Sequence, residues 1–318
     1  MPRFKIHHLT KYSYDTPVRD SANQVMLFPV KDEFQELVRF ELNISGEPQV
    51  DIFKDYYGNE AGAFTHAEPH RELLIDLKTE LITRKRPICA DDIPAASQWE
   101  ELEKIHYRVP YIDFLKQEQF KALKELKEAA DPLLCHEHTT LQSALRFNQF
   151  VFDSFKYIKG ITTVESTLDE VWTLKAGVCQ DFAHILLTML RLVKIPARYV
   201  SGYVCPNKNG MRGEGATHAW VEAYIPFYGW MGLDPTNNCI ADDLHVRLAV
   251  GRNFSDCSPV KGTYKGDAAH KLEVGVAVSY EDGNLVDESA AILTPQPAKT
   301  NSNENSYRRH MEMMQQQQ

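Results

Sequence analysis

Apolar and polar residues alternate along the first quarter of the chain, and this alternation is the feature that most constrains the fold. Every second residue from Val38 to Ile44 is apolar, and the same spacing returns from Leu73 to Leu77. Because strand side chains point alternately to two faces, these runs predict half-buried β-strands. Turn-forming clusters at Ser45–Pro48 and Tyr57–Asn59 separate such runs, which favours an antiparallel sandwich or small barrel. Residues 1–85 are therefore predicted to form an all-β sandwich domain.

After the β-domain the spacing of apolar residues becomes helical. Scattered prolines, and a stretch rich in Lys, Glu, Leu and Ala at residues 118–130, predict a helical linker over residues 86–140. Apolar residues recur every three or four positions in residues 141–155 and again in residues 179–194, as in amphipathic helices. The motif Thr167–Glu170 has the form of a capping box, so a short helix is expected directly after it.

Three strand-like segments follow the last of these helices: residues 197–204, 218–225 and 229–233. Helices followed by antiparallel strands are typical of an α+β fold, so residues 141–281 are predicted to form an α+β core. Lys271–Tyr280, at the end of this core, is a candidate edge strand. Residues 282–318 are rich in Asn, Ser, Gln, Pro and Glu, a composition that predicts a flexible tail.

The net charge and the cysteine content indicate which partners and which cellular compartment are to be expected. The chain has 35 Lys and Arg against 44 Asp and Glu, a formal net charge of −9, so no nucleic-acid partner is expected. No apolar stretch approaches the about 18 residues of a membrane span, and the basic start has no apolar run after it, so neither a membrane partner nor a signal peptide is expected. The six cysteines form no Cys-x-x-Cys pair and suit a reducing cytoplasm, which is the expected location. The oligomeric state stays open.

Cys179 is the cysteine whose position suggests reactivity. It begins the helix expected over residues 179–194, where the positive end of the helix favours a thiolate. A nucleophilic thiol also needs a base, and the base needs an acceptor that orients it. His218 opens one predicted strand and Asp234 closes the next, and both positions are equally distant from Pro226, which begins the turn between them. His218 and Asp234 are therefore predicted to be cross-strand neighbours.

Three segments around these residues carry a family resemblance: GVCQDFAHILLTMLRLVKIPARYVSGYV, THAWVEAYIPFYGWMGLDPTNN and GRNFSDCSPVKGTY. They resemble three blocks of the bacterial transglutaminase-like family, whose members are often described as cysteine proteases, and the β-rich start resembles the N-terminal region of the same proteins. The resemblance implies a papain-like arrangement, with a Cys-bearing helix packed on an antiparallel sheet. It also implies that Cys179 is the nucleophile, His218 its base and Asp234 the residue that orients the base.

Several neighbouring residues have two candidate roles. The indole N–H of Trp172 could join the backbone N–H of Cys179 in an oxyanion hole, but packing is the favoured role. Gln180 and Asp181 either hold the start of the helix or contact the substrate. His184 lies about 140° around the helix from Cys179, so packing or capping is expected rather than base catalysis.

Other polar clusters are assigned no chemistry. The run Cys135–His138 lacks a second ligand pair for a tetrahedral site, and Asp242–Asp243 lacks the alternating acidic pattern of a calcium loop, so neither a metal nor a cofactor is predicted. The glycine-rich residues 210–215 are expected to form a loop beside the catalytic cleft. The remaining cysteines are expected to be structural: Cys89, Cys135, Cys205, Cys239 and Cys257.

These observations predict a thiol-dependent acyl-transfer enzyme that acts on a peptide or protein. Hydrolysis by a cysteine peptidase or amidase is preferred. The resemblance implies that the crosslinking animal enzymes carry a calcium loop and additional β-domains, and neither feature is evident in this sequence. The alternatives are a protein-glutamine gamma-glutamyltransferase, in which an amine replaces water, and a binding module without catalytic activity.

Overall fold

The computed structural model of the protein describes residues 1–163, 166–205, 210–213, 216–280 and 294–295. These residues fall into two compact units. One unit comprises Met1–Thr83 together with the described residues from Ser258 onward, and the other is Arg84–Cys257.

The first unit begins with five strands: β1 (Arg3–Val25), β2 (Gln35–Ile44), β3 (Asp51–Lys54), β4 (Glu60–His66) and β5 (His70–Thr83). β5 pairs antiparallel with β1 along Arg3–Ser13, and β4 pairs antiparallel with it along Ser21–Val25. The alternation read from the sequence is present in β5, where four apolar side chains are at most 1% exposed: Leu73, Ile75, Leu77 and Leu81. The start of the chain is thus built of antiparallel strands.

Val38 departs from the predicted alternation. The register between β2 and β5 pairs Leu37 with Leu81 and Arg39 with Glu80, and it skips Val38. An extra residue of this kind forms a β-bulge, which turns its side chain away from the regular pleat. Val38 is 44% exposed for this reason, so the expectation of a half-buried side chain is wrong there.

The second unit contains helices and strands in the following order: α1 (Ala95–Ile105), α2 (Leu123–Ala130), α3 (Thr140–Ser154), β6 (Lys156–Tyr157), α4 (Leu168–Leu174), β7 (Ala176–Gly177), α5 (Cys179–Leu192), β8 (Ala197–Val204), β9 (Ala216–Ile225), β10 (Gly229–Asp234), β11 (Cys239–Ile240), β12 (His245–Gly251) and α6 (Phe254–Cys257). The predicted capping box is confirmed before α4, where Glu170 Oε2 accepts the N–H of Thr167 at 2.7 Å and Thr167 Oγ accepts the N–H of Glu170 at 3.3 Å.

One antiparallel sheet and α5 form the centre of the second unit. The strand order is β11-β10-β9-β8-β12, and α5 packs on β8 and β9. The apolar side of α5 is fully buried at Phe182, Leu186 and Met189. This confirms the predicted α+β fold, in which the helix that begins with Cys179 lies on an antiparallel sheet.

Residues 86–140, predicted as a helical linker, contain α1 and α2. Four of their apolar side chains belong to the same hydrophobic core as α5: Leu102, Ile105, Leu126 and Ala130. Amphipathic helices bury their apolar side against a neighbour. The segment therefore forms part of the second unit rather than a separate connection.

The chain then returns to the first unit through β13 (Val260–Lys265), β14 (His270–Tyr280) and β15 (Thr294–Pro295). β14 pairs antiparallel with β1 from Phe4 opposite Tyr280 to Tyr14 opposite His270. This corrects the predicted core of 141–281, because its last residues complete a sheet that starts at the N-terminus. Long-range pairing of this kind leaves no mark in local periodicity.

β15 lies within the predicted flexible tail, 282–318, and pairs with β14. The rest of that tail lies outside the described residues. Among the described helices, none has both the length and the apolar character that crossing a membrane requires.

Candidate active site

Cys179 is the first residue of α5, and the short strand pair β6 and β7 leads into it. The N–H of Ile158 donates to the carbonyl oxygen of Gly177 at 2.9 Å, which holds the chain just before Cys179. A Cβ atom on Gly177 would lie only 2.7 Å from the Cβ of Asp181, closer than real Cβ contacts. The approach to α5 therefore needs glycine at this position.

Asp181 holds the start of α5. Its Oδ2 accepts the backbone N–H of Val178 at 2.7 Å and the hydroxyl of Thr162 at 2.6 Å. The side chain is buried, and burial raises its pKa. Of the two roles considered for Asp181, these contacts support the structural one, because they satisfy a backbone donor at the helix start.

His218 lies on β9 and Asp234 ends β10, and the two strands form an antiparallel hairpin. The register pairs Leu233 with Val221, so Asp234 lies level with Trp220 rather than with His218. The predicted register is therefore wrong by two residues, which keeps the same face of the sheet because side chains alternate. The two residues are diagonal neighbours, and His218 Nε2 lies 2.8 Å from Asp234 Oδ2.

The carboxylate of Asp234 is completely buried and accepts five hydrogen bonds. Its Oδ1 accepts the backbone N–H groups of Thr236 at 2.9 Å and Asn237 at 3.3 Å. Its Oδ2 accepts the side-chain amide of Asn237 at 2.7 Å, in addition to His218 at 2.8 Å and His245 at 3.2 Å. Burial alone would raise the pKa of Asp234, but the two imidazoles outweigh it and hold the pKa well below its usual value.

The imidazole of His218 has one ring nitrogen bound and one available. Nε2 is held by Asp234, and the buried Nδ1 has no hydrogen-bond partner among the described residues. Burial lowers the pKa of His218, but the charge of Asp234 and the nearby thiol of Cys179 outweigh it and raise the pKa to about 9. The structure thus brings a thiol, an imidazole and a carboxylate into one group.

The described part of the glycine-rich loop, residues 210–213, lies beside this group. A Cβ atom on Gly213 would lie 2.9 Å from Nδ1 of His218. The N–H of Arg212 donates to Asn237 Oδ1 at 2.7 Å, and the side-chain amide of Asn237 donates to the carbonyl of Arg212 at 3.3 Å. Asn237 therefore ties the loop to the end of the hairpin that carries Asp234. Residues 214 and 215 of the predicted loop lie outside the described residues.

His245, at the start of β12, is a member of the group that the sequence analysis missed. Its Nε2 lies 3.2 Å from Asp234 Oδ2, and its ring packs edge-on against Trp220 with centroids 5.2 Å apart. The sequence signal that could have indicated His245 is an acidic residue three positions before it, Asp242. In the structure His245 Nδ1 lies 3.3 Å from Asp242 Oδ1. That spacing is too common in sequences to identify a site.

Trp172 and His184 have packing roles. The indole N–H of Trp172 donates to Glu125 Oε2 at 2.9 Å, so it is not directed to an oxyanion. His184 Nε2 accepts the backbone N–H of Phe254 at 3.1 Å, at the start of α6, and burial lowers its pKa. Neither side chain takes part in the group around Cys179.

Within the part of the chain that the structure describes, one group has metal-ligating atoms within 4.8 Å of one another: His218, Asp234 and His245. The run Cys135–His138 does not form such a group among these residues. Ligands at about 2.0–2.2 Å from a tetrahedral zinc ion stand farther apart than the 2.8 Å between His218 Nε2 and Asp234 Oδ2. The separation fits a shared proton, so we interpret the group as a hydrogen-bonded one.

None of the six cysteines, all of which lie among the described residues, forms a disulfide. Cys205 and Cys257 are fully buried, whereas the other four are half-buried. Burial raises the pKa of the Cys205 thiol well above its usual value, which makes it unreactive. Cys179 differs from the others in lying at a helix start beside His218.

Comparison with known proteins gives the chain a family. Residues 127–235 match the family described as the transglutaminase-like superfamily, and residues 4–81 match the bacterial transglutaminase-like N-terminal region. The uncharacterized protein ML0607 of Mycobacterium leprae is 30% identical over 285 residues, which cover 88% of this chain and 99% of that protein. A shorter match, 31% identical over 96 residues, is to a protein-glutamine gamma-glutamyltransferase of Pseudomonas aeruginosa and covers 29% of this chain and 14% of that protein.

A solved structure shares the fold over almost the whole chain. It is the crystal structure of a protein from Cytophaga hutchinsonii described as a "Putative Cysteine Protease", with a TM-score of 0.71, 21% identity and 95% of each chain covered. At 21% identity this similarity supports a shared fold and nothing more. The chain belongs to the transglutaminase-like superfamily, and its first residues form the bacterial transglutaminase-like N-terminal region.

Proposed function

We propose that the protein is a thiol-dependent acyl-transfer enzyme, with Cys179 as nucleophile, His218 as base and Asp234 as the residue that orients the base. One observation carries this proposal: Asp234 holds Nε2 of His218 at 2.8 Å and leaves Nδ1 for the thiol at the start of α5. A nucleophile, a base and an orienting acceptor in this order are the parts that covalent acyl transfer needs.

In the proposed reaction the thiol proton passes to His218 Nδ1, and the sulfur of Cys179 attacks a carboxamide carbon. The backbone N–H groups at the start of α5 stabilise the oxyanion that forms. The carbon–nitrogen bond then breaks, the amine leaves with the proton from His218, and the acyl group remains as a thioester. Water attacks the thioester with His218 as base, which releases the acid and restores the thiol.

We propose a peptide or protein as the acyl donor and water as the acceptor, which makes the protein a cysteine peptidase or amidase. The alternative acceptor is an amine, which would make it a protein-glutamine gamma-glutamyltransferase. The match to the Pseudomonas aeruginosa enzyme of that name favours this second candidate over part of the chain. The cytoplasmic location expected from the sequence stays a prediction.

Reaction with iodoacetamide tests the activated thiol. We expect Cys179 to be alkylated faster than the other cysteines at about pH 7, since ordinary thiols are mostly protonated there. His218→Ala should slow this reaction by at least about tenfold, because general bases contribute that much or more. The rate at each cysteine is measured by mass spectrometry of peptides from the quenched protein.

His136→Ala is the matched control, because His136 is exposed and its ring packs beside Trp99, with centroids 5.0 Å apart. It should leave the Cys179 rate unchanged. Equal labelling of several cysteines in the wild type, or no loss in His218→Ala, would contradict the proposal and favour a binding module without catalysis.

Incubation of a glutamine-bearing peptide with a labelled primary amine tests the acceptor. If water is preferred, ammonia is released without a matching amount of label in the peptide. Each transamidation also releases one ammonia, so the ammonia released beyond the amount of incorporated label measures hydrolysis. If the incorporated label exceeds this remainder, transamidation is the main activity and the preference for hydrolysis is wrong. Cys179→Ala should abolish both products, which separates enzyme chemistry from spontaneous deamidation.

A further inference from the structure

Asp234 contacts a second buried imidazole that the proposed reaction does not use. His245 Nε2 lies 3.2 Å from Asp234 Oδ2, the same oxygen that His218 Nε2 contacts at 2.8 Å. The side chain of His245 is 2% exposed and that of Asp234 is 0% exposed. A buried polar contact of this kind is costly to leave unmade, so it fixes the groups that form it.

The ring of His245 is held in one orientation from two further directions. On its other edge, Nδ1 lies 3.2 Å from the backbone nitrogen of Asp242 and 3.3 Å from its Oδ1. Trp220 packs edge-on against the ring with centroids 5.2 Å apart, and the same indole lies 6.3 Å from the ring of His218. These contacts direct Nε2 of His245 towards Asp234.

The charged and titratable groups that face His245 come from several elements. Asp234 on β10 and Asp242 before β12 are acidic, Cys239 on β11 contributes a thiol, and His218 on β9 lies 6.3 Å away between ring centroids. The hydrogen bonds to Asp234, Asp242 and Cys239 outweigh the effect of burial and raise the pKa of His245 well above its usual value. A protonated His245 carries a hydrogen on Nε2 and donates it to Asp234 Oδ2.

This donation has a consequence for the other imidazole. A carboxylate that receives donors from two sides cannot rotate away, and it stays ionised rather than accepting a proton from His218. His218 then keeps its Nε2–H directed at Asp234 and its Nδ1 directed at the thiol of Cys179. We propose that His245 is a positioning residue, which holds Asp234 ionised and directed at His218 through the Nε2–H···Oδ2 hydrogen bond. This inference rests on the proposed function of Cys179, His218 and Asp234.

Two amide substitutions distinguish the effect of the hydrogen bond to Asp234 from the effect of removing the imidazole ring. In His245→Gln the side-chain amide reaches the place of Nε2 and can still donate to Asp234. In His245→Asn the amide reaches only the place of Nδ1, on the side of Asp242. The probe is iodoacetamide, and the measured quantity is the alkylation rate of Cys179 at about pH 7 and at about pH 10.5, where an ordinary thiol ionises without help.

We expect His245→Asn to lose about tenfold or more at neutral pH while its rate at high pH equals that of the wild type. His245→Gln should keep the neutral rate to within about a factor of three, since its donor is retained. A purely structural role would lower both rates by changing access to the thiol, and it would affect both variants. Equal behaviour of the Gln and Asn variants overturns the inference.

His8→Gln is the matched control, since it also replaces a buried imidazole, 1% exposed, but in the other unit. It should leave both alkylation rates unchanged. If wild-type Cys179 reacts no faster than the other cysteines at neutral pH, the proposed function fails and this inference fails with it. If the wild type is selective and His245→Asn is equally selective, only the inference about His245 is wrong.

A measurement on the unaltered protein covers the case in which a variant does not fold. In protein labelled with ¹⁵N-histidine, NMR should show a bound proton on Nε2 of His245 throughout the neutral range. An Nε2 without a proton cannot donate to Asp234 and would overturn the proposal. A one-bond coupling between Nε2 of His245 and its proton would support it.

Discussion

Asp234 is the residue on which the site depends, because one buried carboxylate orients several donors. A buried charge is costly unless hydrogen bonds replace the lost water, and Asp234 receives five of them. Two come from the backbone of the turn that follows β10, so the Asp-Pro-Thr-Asn turn itself prepares the carboxylate. The remaining donors are side chains that depend on this charge for their own placement.

Replacing Asp234 by Asn should change the titration of His218. Asp234 supplies the largest of the effects that raise the pKa of His218 to about 9, and burial opposes them. Without the carboxylate, burial is opposed only by the nearby thiol of Cys179, so the imidazole pKa should fall clearly below about 9. NMR titration of the His218 ring measures this directly. An imidazole that still titrates near pH 9 in Asp234→Asn would show that Asp234 is not the cause.

The same shift predicts how stability depends on pH. Because the folded pKa of His218 lies above its unfolded value, its stabilising contribution is complete below about pH 6.5 and is lost as the pH rises to about 9. The free energy of unfolding in urea should therefore fall by about 1–3 kcal/mol more in the wild type than in Asp234→Asn across this range.

At the scale of elements, the start of α5 and the hairpin β9–β10 place the reacting groups. The helix start could be predicted from sequence, because Gly177, Val178 and Cys179 precede a regular apolar pattern that Pro196 ends. The hairpin could be predicted as well, but its predicted register was wrong, because the loop lies between the paired residues Ile225 and Gly229 and is centred on Phe227 rather than on Pro226. An error of two residues preserved the face on which His218 and Asp234 meet.

Thr162→Val should weaken the start of α5. The hydroxyl of Thr162 donates to Asp181 Oδ2 at 2.6 Å, and hydrogen bonds to charged groups contribute about 1.5–3 kcal/mol. We expect a loss of stability in this range, measured by urea unfolding, and slower alkylation of Cys179. Thr173→Val is the control, since its exposed hydroxyl donates to the carbonyl of Asp169 on α4, away from the start of α5. A similar loss in both variants would mean that Thr162 has no special role.

At the scale of the whole molecule, β1 determines which parts of the chain form the first unit. One edge of β1 pairs with β5 and the other with β14, although β14 follows the whole second unit in sequence. A strand with both edges paired leaves no open backbone groups for other chains. The second unit is in this sense an insertion between strands of the first.

Val278→Ala tests the contribution of β14. Val278 is fully buried opposite Ile6 of β1, so removing its two methyl groups should lower stability by about 1–3 kcal/mol. Val276→Ala, at a half-buried position of the same strand, should cost less. Differential scanning calorimetry measures both. Because β14 belongs to the first unit, the Cys179 alkylation rate should not change, and a large change would contradict the division into units.

The sequence alone indicated the long helices of the second unit, the hairpin of β9 and β10, and the three residues from which the proposed mechanism is built. Helix starts, strand alternation and a short hairpin depend on residues close together in the chain, so their patterns are local. Tertiary structure decided the rest: the register of β9 with β10, the bulge at Val38, the return of β14 to β1, and the placement of His245 on Asp234. Each of these joins residues through pairing or burial, and the free energy that selects them comes from contacts that exist only in the folded chain.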